Sequence, residues 1–295
     1  MGMIINFGSI NIDHVYRVPH MPAPGETLLA TGYNKFLGGK GVNQSIAVAK
    51  AGGEVLHVGA VGSDGEWALE QIQTHAVNTK NIAKLDCATG HAIIYVDEAG
   101  ENQIVIASGA NMRLSEAMID AALDGSDPEC DWVLLQNETN LAEYIVASAH
   151  KQGFKIAYAA APFVAETTLS LLDKITLLAV NEGEAAALAK ALGVNPDSIP
   201  VPELLVTLGA KGAKFKSEAL NIRQNAYAIE AVDTTGAGDT FLGSFLAHYT
   251  NDRNAKAALS YASAASALQI MQEGAATAIP ENNVVIKFME QNEPA

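Results

Sequence analysis

The sequence is short of several things, and each shortage removes a class of function. It has only two cysteines, Cys87 and Cys130, with no CxxC spacing. They build no disulfide framework and read as free thiols of a cytoplasmic protein, because disulfides are rare in a reducing compartment. Basic residues are scarce: 18 Lys and Arg face 33 Asp and Glu, a formal net charge of −15. That balance disfavours nucleic acid and anionic membranes as partners, but not a small anion held in one local site. No apolar run reaches the ~18 residues a membrane span needs. The opening MGMIINFGSI lacks a basic n-region and a small-residue cleavage site, so it reads as a strand and not as a signal peptide. Asn6 also stands where a myristoylation signal wants Ser or Thr. There is no HExxH, no GxSxG and no GxxxxGK[ST], which argues against zinc hydrolase, serine hydrolase and P-loop chemistry.

What is present suits a large buried core. Hydrophobic residues make up 49% of 295 and charged residues 17%, which fits one α/β domain over 1–295. Apolar runs at Ile4–Phe7, Val55–Ala60, Trp132–Gln136, Lys155–Ala160, Ile175–Val180 and Leu204–Leu208 read as buried strands. Helical patterns lie between several of them, at Val42–Ala51, Leu141–Gln152 and Glu182–Leu192. The alternation predicts βα units around a mostly parallel sheet covered by helices on its faces. Two stretches break the pattern, approximately 14–37 and 91–108. The second reads as two strands, His91–Val96 and Gln103–Ser108, around a hairpin-like Asp97–Glu101. Both read as β structure projecting from the main sheet, a candidate lid. The Pro-rich loop Asn195–Pro202 leaves room for a short helix or none before Leu204, so one crossover reads as truncated. Helices are expected at Thr240–Tyr249, Asn254–Met271 and Asn282–Gln291.

Five motifs could carry chemistry. In Val232–Phe241, the turn Gly236-Ala237-Gly238 leads straight into an apolar helix. Backbone N–H groups at such a helix start hold an anion. Asp239 is then either a helix-capping residue or a base beside a phosphate-sized anion hole. Gly38-Gly39-Lys40-Gly41-Val42-Asn43-Gln44 also opens a helix. Lys40 and Asn43 can donate to hydroxyls there, or the segment is a glycine turn with a solvated lysine. Gly8–Asp13 follows the first strand, where open α/β sheets bind ligands; otherwise Asn11 or Asp13 bonds its own backbone in a turn. Asn181 and Glu184 share one face of a helix start. They suit either a hydrated Mg²⁺ or a capping box. Thr207-Leu208-Gly209-Ala210-Lys211-Gly212 is a strand end with a glycine turn.

In order, GSINID, GGKGVNQ, LLQNE, AVNEGE, VTLGAKG, VDTTGAGDTF and GAATAIP resemble the ribokinase family of carbohydrate kinases, over essentially the whole chain. Gln44 after Asn43, and Ser108-Gly109-Ala110-Asn111, are more similar to ribokinases than to fructokinases or 1-phosphofructokinases. The resemblance implies a doubly wound, mostly parallel sheet flanked by helices, with a small β-sheet lid over the sugar. It implies ATP-dependent phosphorylation of a small sugar, D-ribose first. Asn11, Asp13, Gly39, Lys40, Asn43 and Glu138 would hold the sugar, and Asp239 would take the proton of its primary hydroxyl. Gly236, Ala237 and Gly238 would form the hole for the γ-phosphoryl group. Asn181 and Glu184 would place Mg²⁺ through water. Thr207, Gly209, Lys211 and Gly212 would cradle the nucleotide, with Asn181 and Gly238 beside them and Ser263 near the adenine. Asp233, Thr235 and Gly274 would hold an activating K⁺.

The pattern also departs from the family. Tyr158-Ala159-Ala160-Ala161-Pro162 lacks the Asn of the usual Asn-Pro-Ala-Pro. Gln269 and Gln272 stand where ribokinases carry other residues, and Ala278 replaces a hydroxyl residue, which puts one K⁺ ligand in question. Fructokinase, nucleoside kinase and deoxyribose kinase stay open as relatives. The absence of an arginine near these motifs weakens 1-phosphofructokinase. A catalytically inactive sugar- or nucleotide-binding protein is the reading from another class, and the intact GAGD argues against it. The lid edges either pair in a homodimer or are covered by their own loops.

Overall fold

A computed structural model describes residues 2–294. Chain order gives β1 (Ile4–Phe7), β2 (Asn11–Arg17), β3 (Gly32–Gly38), α1 (Lys40–Lys50), β4 (Val55–Val61), α2 (Glu66–Gln73) and β5 (Asn78–Lys84). Then come β6 (Gly90–Val96), β7 (Asn102–Ala107), α3 (Glu116–Asp124), β8 (Trp132–Leu135), α4 (Ala142–Gln152) and β9 (Lys155–Ala159). They are followed by α5 (Ala165–Leu171), β10 (Leu177–Asn181), α6 (Glu182–Leu192), β11 (Glu203–Thr207), β12 (Ala213–Ser217) and β13 (Asn221–Gln224). The described chain ends in α7 (Ala237–Asp252), α8 (Ala255–Gln269) and α9 (Asn282–Gln291).

Nine strands form one sheet in the order β13-β12-β11-β10-β9-β8-β1-β4-β5. All its pairings are parallel except β11–β12 and β12–β13. Its central strands, such as β1, β4 and β8, are buried on both faces because helices cover both. Ile4, Leu134 and Leu205 pack with α1, α7 and α8 on one face. Their neighbours Ile5, Val133, Leu135 and Leu204 pack with α4 and α6 on the other. This is the doubly wound α/β fold, and the six strand expectations and the three early helices hold to within a few residues.

Both irregular stretches enter a separate four-stranded sheet, β3-β2-β6-β7. β2 begins at Asn11, inside the motif after β1, so Asn11 and Asp13 are strand residues and not a turn. β3 continues through Gly38 straight into α1 at Lys40. The small sheet is therefore tied to the main sheet through the motif residues themselves. The truncated crossover is also observed: α6 alone bridges β10 and β11, and only a 3₁₀ turn at Pro196–Ser198 follows it. α7 starts at Ala237, earlier than the expected Thr240, so the helix begins inside the Gly-Ala-Gly turn. Cys87 and Cys130 are both free. Among the described residues, no helix is long and apolar enough to cross a membrane.

Candidate active site

β1 sits between β8 and β4, the point where the strand order reverses. Chains leaving β1 and β8 diverge there and open a crevice at the carboxyl ends of the strands. Gly8–Ile10 follow β1 and Gln136–Glu138 follow β8, so two of the motifs flank this crevice.

The GAGD turn supplies one wall. Gly236 precedes α7 with φ 77°, a left-handed conformation suited to glycine. A Cβ at this position would come within 2.9 Å of the Ala275 side chain. The first N–H groups of α7 have no intrahelical acceptor and carry the positive end of the helix dipole. Asp239 follows in the first turn and is only 8% exposed. Its carboxylate bonds are with α1 and not with its own helix: Asn43 Nδ2 donates to Oδ2 at 3.2 Å and Gln44 Nε2 to Oδ1 at 2.9 Å. Those bonds decide against the capping reading. Burial pushes the Asp239 carboxyl above the usual carboxylate range, while Lys40 and the two amides pull the other way. A buried carboxylate facing a cleft, with its proton affinity raised, suits a general base.

The expected sugar residues converge beside it. Glu138 Oε2 accepts from Ser9 Oγ at 2.5 Å and from the Lys40 N–H at 2.9 Å. Asn111 Nδ2 donates to Asn11 Oδ1 at 2.8 Å, while Asn111 Oδ1 accepts from the Ile10 N–H at 2.9 Å. The Asp13 carboxylate lies flat against Gly38, where any Cβ would sit 2.1 Å from Asp13 Oδ2. Gly39, the residue preceding α1, packs against the backbone of Ser9 and Asn11.

Burial, with the Glu138 charge adding to it, raises the Asp13 carboxyl from 3.8 to about 6. The folded value lies above the unfolded one, so ionised Asp13 costs stability. The cost is absent below pH ~4, grows up to about 6, and is complete above it. Asp13→Asn is expected to raise the melting temperature at pH 8, by the equivalent of roughly 2 kcal/mol. The gain should shrink toward pH 4, while kcat/KM for the sugar drops about 100-fold through a lost charged hydrogen bond. Paired thermal melts and kinetics check this; equal melting curves at pH 8 would refute the cause given for the shift.

On the far side of Asp239 run two continuous clefts. One, of about 200 Å³, is lined by Lys40, Asn181, Glu184, Thr207, Gly236, Ala237, Gly238 and Asp239. The other, of about 320 Å³ and mostly apolar, includes Gly209, Gly212, Tyr227, Ile229, Ser263 and Ile270. They share Thr207, Thr234, Ala237, Gly238 and Phe241. A polar compartment opening into an apolar one at a helix N-terminus fits a phosphate chain joined to a flat base.

Asn181 and Glu184 form the capping box: Asn181 Oδ1 accepts from the Glu184 N–H at 2.9 Å, and Glu184 Oε2 from the Asn181 N–H at 2.8 Å. They also line the first cleft, so the two readings coexist. Among the described residues no three His, Cys, Asp or Glu cluster around a metal-sized space. Magnesium that keeps its waters and binds mostly through phosphates needs no such cage, and the Asn181 and Glu184 oxygens fit that donor set. Lys211 lines neither cleft; its ammonium pairs with Glu182 at 3.1 Å. Ser263 does line the apolar cleft, its Oγ donating to the Asn225 carbonyl at 3.3 Å. Where the family's Asn is missing, Ala159 and Ala161 give the cleft an apolar wall, and the buried Tyr158 donates to Asn137 Oδ1 at 2.7 Å.

Asp233, Thr235 and Gly274 also come together, but not around an open space. Asp233 Oδ1 accepts from the Thr235 N–H and Oδ2 from the Gly274 N–H, each at 2.9 Å. The Gln269 side-chain amide donates to the Thr235 carbonyl at 2.7 Å and to the Gly274 carbonyl at 3.1 Å. These residues do not fit an added K⁺, because an amide nitrogen already sits between the carbonyls. Ala278 is buried and offers no hydroxyl.

Sequence reasoning missed the polar ladder behind the base. Gln136 Nε2 donates to Asn6 Oδ1 at 2.9 Å and to Gln44 Oε1 at 2.8 Å, and Gln44 passes the chain to Asp239. Asn6 donates in turn to the Gly41 carbonyl and to Ser45 Oγ, which bonds His57. His57 is fully buried and its pKa drops to about 4, so it stays neutral. A buried network of this kind holds each member in one orientation. Its signal was an Asn inside the apolar Ile4–Phe7 and a Gln ending Trp132–Gln136.

Residues 1–282 match the pfkB family carbohydrate kinases. The chain is 34% identical over 302 residues to a ribokinase of Haemophilus influenzae, covering 96% of this chain and 97% of the relative. Among solved structures it is similar to a ribokinase of Cryptococcus neoformans in complex with ADP, with TM-score 0.85, 30% identity, and 97% and 99% of the chains covered. It is also similar to a ribokinase of Arabidopsis thaliana complexed with ribose and ATP, with TM-score 0.87, 27% identity and 98% of both chains covered. With the match running over 1–282 and a buried carboxylate beside a polar cleft at a helix N-terminus, the chain belongs to the pfkB family of carbohydrate kinases and is a sugar kinase.

Proposed function

We propose that this enzyme transfers the γ-phosphoryl group of ATP to the primary hydroxyl of D-ribose, giving ribose 5-phosphate and ADP. The observation that carries the reading is the buried Asp239 carboxylate lining the polar cleft, fixed by Asn43 and Gln44 next to the first N–H groups of α7. Asn11, Asp13, Lys40, Asn43 and Glu138 offer a dense set of donors and acceptors, suited to a small ring with several hydroxyls. Asp239 accepts the hydroxyl proton as the oxygen attacks. The N–H groups of the Gly236–Gly238 turn stabilise charge on the transferring group. Asn181 and Glu184 hold hydrated Mg²⁺, which when bound neutralises phosphate charge. Thr207 faces the phosphates, and the apolar cleft lined by Gly209, Gly212, Tyr227 and Ser263 takes the base.

Positioning accounts for most of the acceleration in such transfer, so the small sheet matters. We read it as the lid that shuts water from the sugar. Its outer strand β7 leaves Ile104, Val105 and Ile106 52%, 64% and 60% exposed. An apolar edge of this kind favours a second copy as its cover, so a homodimer through the lid is expected. Light scattering should find a dimer for the native chain and a monomer for Val105→Glu; a monomeric native chain would remove the dimer. The two free thiols suit a reducing cytoplasm.

The reading is tested by ADP release with ATP and Mg²⁺ across ribose, deoxyribose, fructose, fructose 6-phosphate and adenosine. Ribose should give the highest kcat/KM by about 10-fold or more, the scale of one buried hydroxyl contact. Preference for another acceptor would move the substrate and keep the mechanism. No turnover on any would favour a binding protein.

A further inference from the structure

The GAGD turn must be held from behind, since its N–H groups act only while they point together into the cleft. The holding group is unusual in kind. Gln269, the last residue of α8, is completely buried, and its side-chain nitrogen bridges the carbonyls of Thr235 and Gly274. Thr235 immediately precedes Gly236. The Asp233 carboxylate closes the other side of the same knot through the N–H groups of Thr235 and Gly274. The Gln269 backbone carbonyl is taken by the Gln272 N–H at 3.1 Å. The amide orientation is set by its partners: both neighbours of the nitrogen are carbonyl oxygens, which only the N–H₂ end can satisfy. Among the described residues Gln269 Oε1 has no partner, an unsatisfied buried acceptor that costs stability on the order of 1–3 kcal/mol. A fold keeps such a cost where the other end of the group does something useful.

We propose that the Gln269 amide is a built-in substitute for a monovalent cation, and that catalysis in this chain is independent of K⁺. Two carbonyls converging beside a carboxylate are a typical site for a hard cation. Here the partial positive charge of the N–H₂ group satisfies the carbonyls and ties the end of α8 and the Gly274 loop to the turn. Gln269 lines neither cleft, so it is a positioning residue that acts through Thr235 and Gly236. Removing its side chain leaves the carbonyls and Asp233 around a space that an ion can enter.

The activity arm of the test rests on the kinase reading; the melting arm does not. Activity and melting temperature are measured for the native chain and for Gln269→Ala in K⁺ and in tetramethylammonium, at equal ionic strength. The native chain should show rates within about twofold and superimposed melts, because an uncharged fixed group does not exchange with salt. Gln269→Ala in tetramethylammonium should lose about 10-fold or more in kcat, the effect of misplacing part of an anion hole, and K⁺ should restore most of it. K⁺ should also raise the melting temperature of Gln269→Ala alone. Activation or thermal stabilisation of the native chain by K⁺ would overturn the proposal, as would a folded Gln269→Ala indifferent to K⁺. If that variant does not fold, the native-chain comparison decides alone. Absence of any kinase turnover, with K⁺-insensitive native melts, would count against the kinase reading and not against Gln269.

Discussion

Asp239→Asn is expected to lower kcat by about 10³-fold, inside the range of general-base contributions. KM for sugar and for ATP should move by less than about 10-fold, because the shape of the site is kept. The packing allows the change. The Asn43 Oδ1 atom is buried without a partner among the described residues and can accept the new amide once its own amide turns over. Burial raises the Asp239 carboxyl, so ionised Asp239 is itself a cost to the folded chain. The variant should therefore melt no lower than the native enzyme at pH 8. The same direction of shift predicts that kcat/KM falls on the acid side as the base takes up its proton. Steady-state kinetics beside thermal melts separate the cases. A folded Asp239→Asn within about threefold of native kcat would place the base elsewhere.

Gly238→Leu should be nearly as damaging for a different reason. A Cβ at Gly238 meets nothing within 4 Å, although the residue lies in the first turn of a well-packed helix. The empty space is the cleft, since Gly238 lines both of its compartments. Leucine suits a helix better than glycine does, by up to ~1 kcal/mol, so the variant should melt at or above the native temperature. Its side chain would occupy the place of the phosphate chain. Turnover should fall by 10²-fold or more, the scale of losing an anion-hole contact, with KM for ATP raised. Native-like kinetics with unchanged melting would show that the phosphates lie elsewhere.

The two substitutions also show what a sequence can and cannot disclose. The helix start at Gly236, Ala237 and Gly238 was legible because a glycine turn opening a helix depends on a few consecutive residues. The strand–helix alternation was legible for a similar reason: burial on both faces forces continuous apolar runs such as Trp132–Leu135. The role of Asp239 was not settled locally. Capping and catalysis need the same residue at the same helical position, and the bonds that speak against capping come from Asn43 and Gln44, 196 and 195 positions away. The edge strands β5 and β13 were missed because they bury little, Asn78–Lys84 being only exposed or half-buried, and β12 because Ala213-Lys214-Phe215-Lys216-Ser217 is a short polar–apolar alternation and not a continuous apolar run. Lys211 was drawn toward the nucleotide by its motif, while its side chain pairs with Glu182 across the surface. Gln269 is the sharpest case. The sequence marks it only as a departure from the residues ribokinases carry there, and its complete burial between two carbonyls is set by the Thr235 turn and the Gly274 loop, which sequence spacing does not bring together.

In the proposed reaction the primary hydroxyl of ribose attacks the γ-phosphoryl group of ATP, ADP leaves, and the Asp239 carboxylate accepts the hydroxyl proton. The most direct measurement is phosphorus and carbon NMR of ribose incubated with ATP, Mg²⁺ and the native enzyme, with Asp239→Asn in parallel. The native enzyme should give a new phosphomonoester coupled to C5 of ribose and stoichiometric ADP, with almost none from the variant in the same time. Inorganic phosphate in place of a sugar phosphate, a phosphate on another carbon, or equal product from Asp239→Asn would contradict that reaction.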